Sequence, residues 1–130
     1  MTTIDELLAA AQARLDRVGP GDLAAEAAAG AILVDIRPVE QRTRDGAMPG
    51  ALVIDRNVLE WRLDPICAHR HPRITDHGHR IILICNEGYS SSLAAATLLD
   101  LGLRLATDLV GGFQAWRRQT GHRVPLGGGA

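Results

Sequence analysis

Short apolar runs, separated by polar residues and glycines, recur along the chain. Ile32-Leu33-Val34 and Ile81-Ile82-Leu83-Ile84 are continuous and rich in β-branched residues. Runs of this kind are typical of strands that are buried on both faces of a parallel sheet. Residues 51–54 and 108–110 predict two further short strands, and Arg17-Val18 predicts a short edge strand. The pattern therefore predicts five strands.

The segments between these runs are predicted to be helices. Apolar residues recur at helical spacing from Ile4 to Leu15, with Thr2 or Thr3 as the candidate N-cap. Further helices are predicted from Pro20 to Gly30, within 38–45, over 57–63, from Ser92 to Leu101 and from Phe113 to Gln119. Strands that alternate with helices imply an α/β fold with right-handed crossovers. We expect a five-stranded, mostly parallel sheet that is flanked by helices on both faces.

Composition and charge exclude several classes of protein. With 130 residues and 46% hydrophobic content, the chain fits one domain that needs neither disulfides nor a metal to build its core. The net charge is -1, from 14 basic and 15 acidic residues, which argues against nucleic-acid and membrane partners. The first residues lack a signal-peptide pattern, and no apolar stretch approaches the ~20 residues that span a bilayer. The two cysteines do not resemble a disulfide framework, so we expect a cytoplasmic protein.

Cys85 holds the most informative position in the chain. It follows the predicted strand 81–84 and opens the loop Cys85-Asn86-Glu87-Gly88-Tyr89-Ser90-Ser91, which leads into a helix. Ligands usually bind at the carboxyl ends of strands in open α/β sheets, where the N–H groups of a loop and first helical turn present partial positive charge. This setting favours thiolate over thiol, so Cys85 is predicted to be a reactive nucleophile. The alternative is a buried structural cysteine.

Three segments, in order, resemble the signatures of the single-domain rhodanese, or sulfurtransferase, family. They are Leu33-Val34-Asp35-Ile36-Arg37 with Glu40 and Gly46-Ala47-Met48-Pro49-Gly50-Ala51, then Cys85 with Gly88 and Ser91, then Gly111-Gly112-Phe113-Gln114-Ala115-Trp116 with Gly121 and Pro125. The resemblance spans roughly residues 18–125. Ala47 departs from it, because a histidine is common there in the family, at a position usually read as structural.

The resemblance implies a rhodanese-like α/β fold in three parts: an N-terminal helical extension over 1–16, a rhodanese-like domain over 17–125 and a disordered tail over 126–130. It also implies that Cys85 accepts a sulfane sulfur from thiosulfate or a persulfide, holds it as a persulfide, and passes it to cyanide or a thiol. These small molecules are the expected partners, and a thioredoxin-like or persulfide-carrying protein is a further candidate. No cofactor and no bound metal are implied.

The loop that begins at Cys85 fits this chemistry. N–H groups from Asn86 to Ser91 can form a nest that holds a persulfide anion, and Gly88 can supply the bend because it tolerates positive φ. The hydroxyls of Ser90 and Ser91 are expected to cap the helix or, alternatively, to donate to the outer sulfur. We therefore predict as substrate-binding residues Asn86, Glu87, Gly88, Tyr89, Ser90 and Ser91.

Charged residues near the loop are expected to have different roles. The resemblance assigns Asp35 and Arg37 to a structural ion pair or hydrogen-bond anchor rather than to catalysis. Glu87 places a carboxylate in the loop, which opposes a doubly negative donor such as thiosulfate. We therefore hypothesise that a protein persulfide or a low-molecular-weight persulfide is a better donor. Arg56 and Arg62 either reach the pocket rim or are simply solvated.

Three alternative functions share some features with this sequence. A cysteine phosphatase needs a Cys-x5-Arg loop whose arginine clamps phosphate, and Ser91 stands in that arginine's place. A zinc or copper site could form from Cys67, His69, His71, His77 and His79. The third is a non-catalytic or redox-sensing rhodanese-like module, in which Cys67 forms a disulfide with Cys85.

Overall fold

Four short parallel strands form the sheet at the centre of the molecule. The computed structural model describes residues 1–121 and contains β1 (Ile32–Asp35), β2 (Leu52–Val53), β3 (Ile81–Ile84) and β4 (Thr107–Asp108). Their order is β2-β1-β3-β4, and all pairings are parallel. The central strands β1 and β3 are buried at every residue, which explains why their apolar runs are continuous.

Residues 1–121 also contain six α-helices and two 3₁₀ turns. The α-helices are α1 (Ile4–Ala13), α2 (Leu23–Ala28), α3 (Val39–Asp45), α4 (Leu59–Leu63), α5 (Ser90–Asp100) and α6 (Gly112–Thr120). Of these, α3, α4 and α5 lie between successive strands. The 3₁₀ turns are Pro20–Asp22, before α2, and Arg56–Val58, before α4. Within the described part of the chain, no helix is both long and apolar enough to cross a membrane.

Successive residues of the central strands bury opposite faces of the sheet. One core contains Ile32, Val34, Ile81 and Leu83 with Leu98 of α5. The other contains Leu33, Ile82 and Ile84 with Phe113 of α6. The sheet separates these two cores, which confirms the predicted α/β fold with helices on both faces. Cys85 belongs to the first core, so its side chain lies on the side of the sheet that α5 covers.

The prediction of a fifth strand at Arg17-Val18 is wrong. Val18 forms one isolated parallel bridge with Leu109, and its N–H donates to the Asp108 carbonyl at 3.0 Å. Pairing stops there because Pro20 follows closely, lacks an N–H group and begins a 3₁₀ turn. The sheet therefore has four strands, and Val18 lies beside β4 as a single bridged residue.

Helix α1 lies against α5 and is tied to it at two points. Arg14 Nη2 lies 2.6 Å from Asp100 Oδ1 at the end of α5. Gln12 Nε2 donates to Ser92 Oγ at 3.2 Å near the start of α5. The segment predicted as an N-terminal extension over 1–16 therefore packs on the helix that follows the Cys85 loop.

Two predictions concern the ends of the chain. Thr3 caps α1, because its side chain accepts a hydrogen bond from the Glu6 N–H and Glu6 returns one to the Thr3 backbone. The predicted disordered tail, 126–130, and Pro125 of the third signature lie outside the described residues.

Asp45, the last residue of α3, is a buried carboxylate that three side chains bind. Arg44 Nη2 lies 2.7 Å from Oδ2, Arg117 Nη1 lies 3.1 Å from Oδ1, and Gln114 Nε2 donates to Oδ2 at 2.8 Å. The hydrogen bond from Arg44, helped by Gln114 and Arg117, lowers the pKa of Asp45 to about 2, although burial opposes this shift. The contacts join α3 to α6.

We expect ionised Asp45 to stabilise the fold above about pH 4 and to lose this contribution as the pH falls toward 2. Because the folded-state pKa is depressed, the unfolded chain takes up the proton first, and acid favours unfolding. Asp45→Asn should lower the free energy of unfolding by about 1 to 2 kcal/mol at pH 7. In urea titrations, the difference from wild type should narrow between about pH 4 and pH 2.

The control for this experiment is Asp100→Asn, which removes the exposed ion pair with Arg14. It should change the free energy of unfolding by less than about 0.5 kcal/mol. A difference between Asp45→Asn and wild type that is the same at every pH would contradict the ionic role of Asp45.

Candidate active site

Cys85 lies at the base of an open pocket at the carboxyl ends of the strands. It directly follows β3 and is 5% exposed. The pocket has a volume of about 280 Å³. Its lining comes from the loop, including Glu87, Tyr89 and Ser90, and from residues 36–38 after β1. The sulfur is therefore neither sealed within the core nor freely exposed.

Two hydrogen bonds meet at the Cys85 sulfur. The Gly88 N–H donates to Sγ at 3.1 Å, and the thiol donates to Ser91 Oγ at 3.1 Å. Ser91 in turn donates to Asp108 Oδ2 at 2.7 Å. A nest of amides from Asn86 to Ser91 was predicted, and the Gly88 amide is the one that binds the thiol sulfur among the described residues.

Helix α5 begins two residues earlier than predicted, and no side chain caps it. Its N-cap residue is Tyr89, and the capping role expected of Ser90 and Ser91 is wrong. Both serines lie inside the first turn, where the Ser91 hydroxyl faces Cys85 and Asp108 instead. The first N–H groups of α5, with their partial positive charge, are left without a side-chain cap at the pocket, which Ser90 lines.

Gly88 makes a close backbone approach to the turn between β4 and α6. Its φ is +87°, and a Cβ at this position would lie 2.6 Å from the Gly111 nitrogen and 3.1 Å from the Leu109 carbonyl oxygen. Gly112 has a φ of +62°, and a Cβ there would lie 2.5 Å from the Cys85 carbonyl oxygen. The loop and the turn are therefore in direct backbone contact, which leaves no space for a side chain at either glycine.

Helix α6 holds the start of the loop. The Phe113 N–H donates to the Cys85 carbonyl at 2.8 Å, and the Gln114 N–H donates to the Asn86 carbonyl at 3.1 Å. Gln114 Nε2 also donates to Asn86 Oδ1 at 2.9 Å and to Asp45 Oδ2 at 2.8 Å. The Asn86 side chain therefore supports the loop by binding α6.

Asp108 in β4 is a site residue that sequence reasoning missed. It is fully buried and accepts hydrogen bonds from the hydroxyls of Ser91 and Ser92, each at 2.7 Å. Arg17 Nε lies 2.8 Å from Asp108 Oδ1. The sequence analysis treated Asp108 only as part of a short strand. The signal that could have identified it is an acidic residue within a buried strand, because such a residue needs a partner.

Asp35 and Arg37 form a buried ion pair beside the pocket. Arg37 Nη2 lies 2.7 Å from Asp35 Oδ2, and the two side chains are 0% and 1% exposed respectively. The same Nη2 donates to the Gly46 carbonyl at 2.8 Å, and the guanidinium lies 3.8 Å from the Phe113 ring centre. The guanidinium therefore binds the protein's own framework through Nε and Nη2, and its Nη1 is buried without a hydrogen-bond partner among the described residues.

The exposed charge at the mouth of the pocket belongs to Glu87, which lines it. Arg56 lies 2.8 Å from Glu60 and lines a neighbouring pocket of about 430 Å³. Arg62 donates to the His69 carbonyl at 2.7 Å. Neither of these two arginines, which were candidates for the rim, lines the Cys85 pocket.

Known protein families and relatives match this chain over most of its length. The family model described as the rhodanese-like domain matches residues 19–119. The chain belongs to the rhodanese-like domain family. A thiosulfate sulfurtransferase GlpE from Stutzerimonas stutzeri (strain A1501) is 35% identical over 101 residues, which are 78% of this chain and 84% of that protein. The resemblance identified from the three signatures is thereby confirmed.

Solved structures similar to this chain extend the comparison to the fold. A protein of unknown function from Rhodopseudomonas palustris CGA009, described as a possible tyrosine phosphatase, has a TM-score of 0.84 and 30% identity, over 95% of this chain and 96% of that one. The human single-domain sulfurtransferase TSTD1 has a TM-score of 0.62 and 26% identity, over 79% of this chain and 96% of that one. The rhodanese-like fold is therefore supported by structure as well as by sequence.

The histidine-rich segment does not assemble a metal site. Within residues 1–121, no group of three or more His, Cys, Asp or Glu side chains is placed to hold a metal ion. His71 Nδ1 accepts the Arg73 N–H at 3.0 Å, and His79 Nε2 accepts the Thr75 N–H at 3.1 Å. These rings bind backbone of their own segment, so the zinc or copper alternative lacks a ligand cluster among the described residues.

Cys67 and Cys85 lie near opposite ends of α5. Cys67 lines a pocket with Leu101, which follows α5, whereas Cys85 binds Ser91 in the first turn of α5. The helix has 11 residues and is therefore about 16 Å long. Because a disulfide needs Cα atoms within about 7 Å of each other, Cys67 is not placed to resolve a persulfide on Cys85.

We expect Gly88→Ala to lower the free energy of unfolding by about 2 to 4 kcal/mol, because the added methyl group meets rigid backbone and positive φ adds strain. Gly50→Ala is the matched control, since Gly50 has a φ of +76° but open space around its Cα. Gly50→Ala should lower the free energy of unfolding by about 1 kcal/mol, because only the strain of a positive φ acts there. Urea unfolding measures both, and equal losses would show that the contact with Gly111 is unimportant.

Proposed function

We propose that this protein is a rhodanese-type sulfurtransferase that moves a sulfane sulfur from thiosulfate or a persulfide to cyanide or a thiol through a Cys85 persulfide. The observation that carries the proposal is the Cys85 sulfur at the base of a pocket, 3.1 Å from the Gly88 nitrogen and at the uncapped start of α5. Membership of the rhodanese-like family and similarity to a thiosulfate sulfurtransferase support the reaction class.

The proposed reaction consists of two displacements at sulfur. In the first, the Cys85 thiolate attacks the sulfane sulfur of the donor, a new S–S bond forms, and sulfite or a thiolate leaves with the electron pair of the broken bond. In the second, the acceptor attacks the outer sulfur, and the Cys85 thiolate leaves with the electron pair of the S–S bond. The thiol proton passes to solvent before the first step. The cycle therefore requires no external oxidant or reductant.

Backbone dipoles are the groups that can stabilise negative charge on the sulfur. The Gly88 N–H donates to Sγ, and the first turn of α5 adds its partial positive charge. The Arg37 guanidinium is buried and paired with Asp35, which offsets its charge. An environment of oriented N–H groups suits a persulfide, which carries a single negative charge.

The phosphatase alternative lacks the cation that it requires. Ser91 stands where a cysteine phosphatase loop carries arginine, and its hydroxyl binds Asp108 at 2.7 Å. A phosphate dianion needs a guanidinium clamp at that position, and a carboxylate behind the serine would repel it. Of the described residues that line the pocket, Arg37 is the basic one, and Asp35 binds its guanidinium. We therefore do not propose phosphatase activity for this chain.

Incubation with thiosulfate or glutathione persulfide should add one sulfur atom to the protein, as measured by intact mass spectrometry. Cys85→Ser should gain none, and the control Cys67→Ser should gain one like the wild type, because Cys67 lies in a different pocket. Cyanide should then remove the added sulfur as thiocyanate. Loss of two hydrogens without gain of sulfur would instead support a redox sensor.

We expect Glu87→Gln to raise kcat/KM for thiosulfate by about 3- to 10-fold, because the Glu87 carboxylate lines the pocket and repels a dianion. The gain should shrink at high salt, since the interacting charges are partly solvated. Glu40→Gln is the control, because Glu40 lines the neighbouring pocket. An unchanged kcat/KM for thiosulfate in Glu87→Gln would remove the charge argument for a persulfide donor.

A further inference from the structure

The Cys85 sulfur belongs to a closed ring of hydrogen bonds that passes through Arg17. From Sγ, the ring runs through Ser91 Oγ to Asp108. From Asp108 it continues to the Arg17 guanidinium. It returns through Gly88, whose carbonyl accepts from Arg17 and whose N–H donates to Sγ. The donor–acceptor distances along this path lie between 2.7 and 3.1 Å.

Arg17 binds two partners at once. Its Nε lies 2.8 Å from Asp108 Oδ1, and its Nη2 lies 3.2 Å from Asp108 Oδ2 and 2.9 Å from the Gly88 carbonyl oxygen. The planar fork of a guanidinium can serve both partners, whereas the compact ammonium of a lysine does not reproduce this geometry. Arg17 precedes residues 19–119, so the match to the rhodanese-like family does not account for it.

Asp108 determines the direction of the Ser91 hydroxyl. Ser91 has one hydroxyl proton and donates it to Asp108 Oδ2, so a lone pair of Oγ faces the Cys85 thiol. Asp108 is 0% exposed, and a buried carboxylate needs compensation of its charge. Arg17 supplies that compensation. The orientation of the hydroxyl at the sulfur therefore depends on Arg17.

Arg17 also restrains the backbone of Gly88. The Gly88 carbonyl accepts from Arg17 Nη2 at 2.9 Å. Ser92 Oγ, whose proton goes to Asp108 Oδ2 at 2.7 Å, lies 3.2 Å from the same carbonyl oxygen. The N–H and the carbonyl belong to the two peptide planes that meet at the Gly88 Cα, so the thiol contact on one side and the Arg17 contact on the other together restrain the φ and ψ of this glycine. Without Arg17 this restraint acts from one side only. Gln12 of α1 donates to the Ser92 hydroxyl oxygen at 3.2 Å. Two residues of the N-terminal segment, Gln12 and Arg17, therefore bind groups next to the Gly88 carbonyl.

We propose that Arg17 is a positioning residue of the active site, which keeps the Gly88 N–H directed at the Cys85 sulfur and the Ser91 proton directed at Asp108 by binding Gly88 and Asp108 together. Its effect on sulfur transfer rests on the proposed function, whereas its effect on the reactivity of Cys85 does not. The segment between α1 and the Val18 bridge is thereby part of the active site.

Charged groups surround Cys85 on several elements, and the test must keep them constant. Asp108 lies on β4, Glu87 is in the loop, and the ion pair of Asp35 with Arg37 follows β1. Substitution of Arg17 leaves these groups in place. A change in the titration of Cys85 can then be assigned to Arg17 and its contacts.

The test is the rate of Cys85 alkylation by iodoacetamide as a function of pH in Arg17→Lys and Arg17→Ala, made in a Cys67→Ser background. Iodoacetamide reacts with the thiolate. The midpoint of the profile should move upward by about 0.5 to 1 pH unit, because the Gly88 carbonyl loses its guanidinium donor and the N–H that stabilises the sulfur anion is released. In Arg17→Lys, Asp108 stays paired with a cation and keeps the Ser91 proton, so Ser91 adds no opposing shift. A merely structural role would lower the reactive fraction without a shift of the midpoint. Arg14→Ala, which removes the exposed pair with Asp100, is the control and should not shift it.

Sulfur transfer provides the second readout. In Arg17→Lys, kcat should fall about 10-fold with little change in KM, because the reacting sulfur is mispositioned while the pocket is intact. Arg17→Ala leaves Asp108 unpaired and can prevent folding, whereas Arg17→Lys keeps the charge. An unmoved midpoint in folded Arg17→Lys, or failure of Arg17→Lys to fold, would overturn the proposal. If the wild type forms no persulfide, the proposed function fails, and the alkylation profiles still decide the role of Arg17.

Discussion

The hydrogen bond from the Gly88 N–H to the Cys85 sulfur depends on a backbone conformation that most residues cannot adopt. Gly88 has a φ of +87°, and a Cβ on it would come within 2.6 Å of the Gly111 nitrogen. The loop after β3 can reach the turn after β4 because these strands pair in parallel and their carboxyl ends meet at one edge of the sheet. The order of the strands therefore places the Cys85 loop beside the turn after β4, and Gly88 and Gly112 allow direct backbone contact between them.

Three buried carboxylates lie around the pocket, and each is bound by an arginine. Asp35 pairs with Arg37, Asp45 with Arg44, and Asp108 with Arg17. Buried ion pairs add little net stability because desolvation offsets their attraction, but loss of one partner is costly. We infer that these contacts serve to fix geometry: Arg37 joins Asp35 to the Gly46 carbonyl, Arg17 joins Asp108 to the Gly88 carbonyl, and Arg117 joins Asp45 to α6.

The features that could be predicted from the sequence are those that depend on adjacent residues. The strand, Cys85 and the following helix are consecutive, so periodicity and turn residues reveal them. The role of Ser91 depended on the exact start of α5, because a start two residues earlier places its hydroxyl between the Cys85 thiol and Asp108 instead of at the cap. The contact between Arg17 and Asp108 joins positions 91 residues apart, and no local pattern connects them.

The charges near Cys85 separate two reaction classes that share a cysteine loop between strand and helix. A bound phosphate dianion calls for a guanidinium, and here Ser91 replaces that residue while Arg37 is buried against Asp35. The Gly88 N–H and the first turn of α5 act over short distances, whereas the charge of exposed Glu87 acts over longer ones. We infer that such a site can stabilise a single negative sulfur atom on Cys85, while the Glu87 carboxylate disfavours the approach of a dianion such as phosphate or thiosulfate.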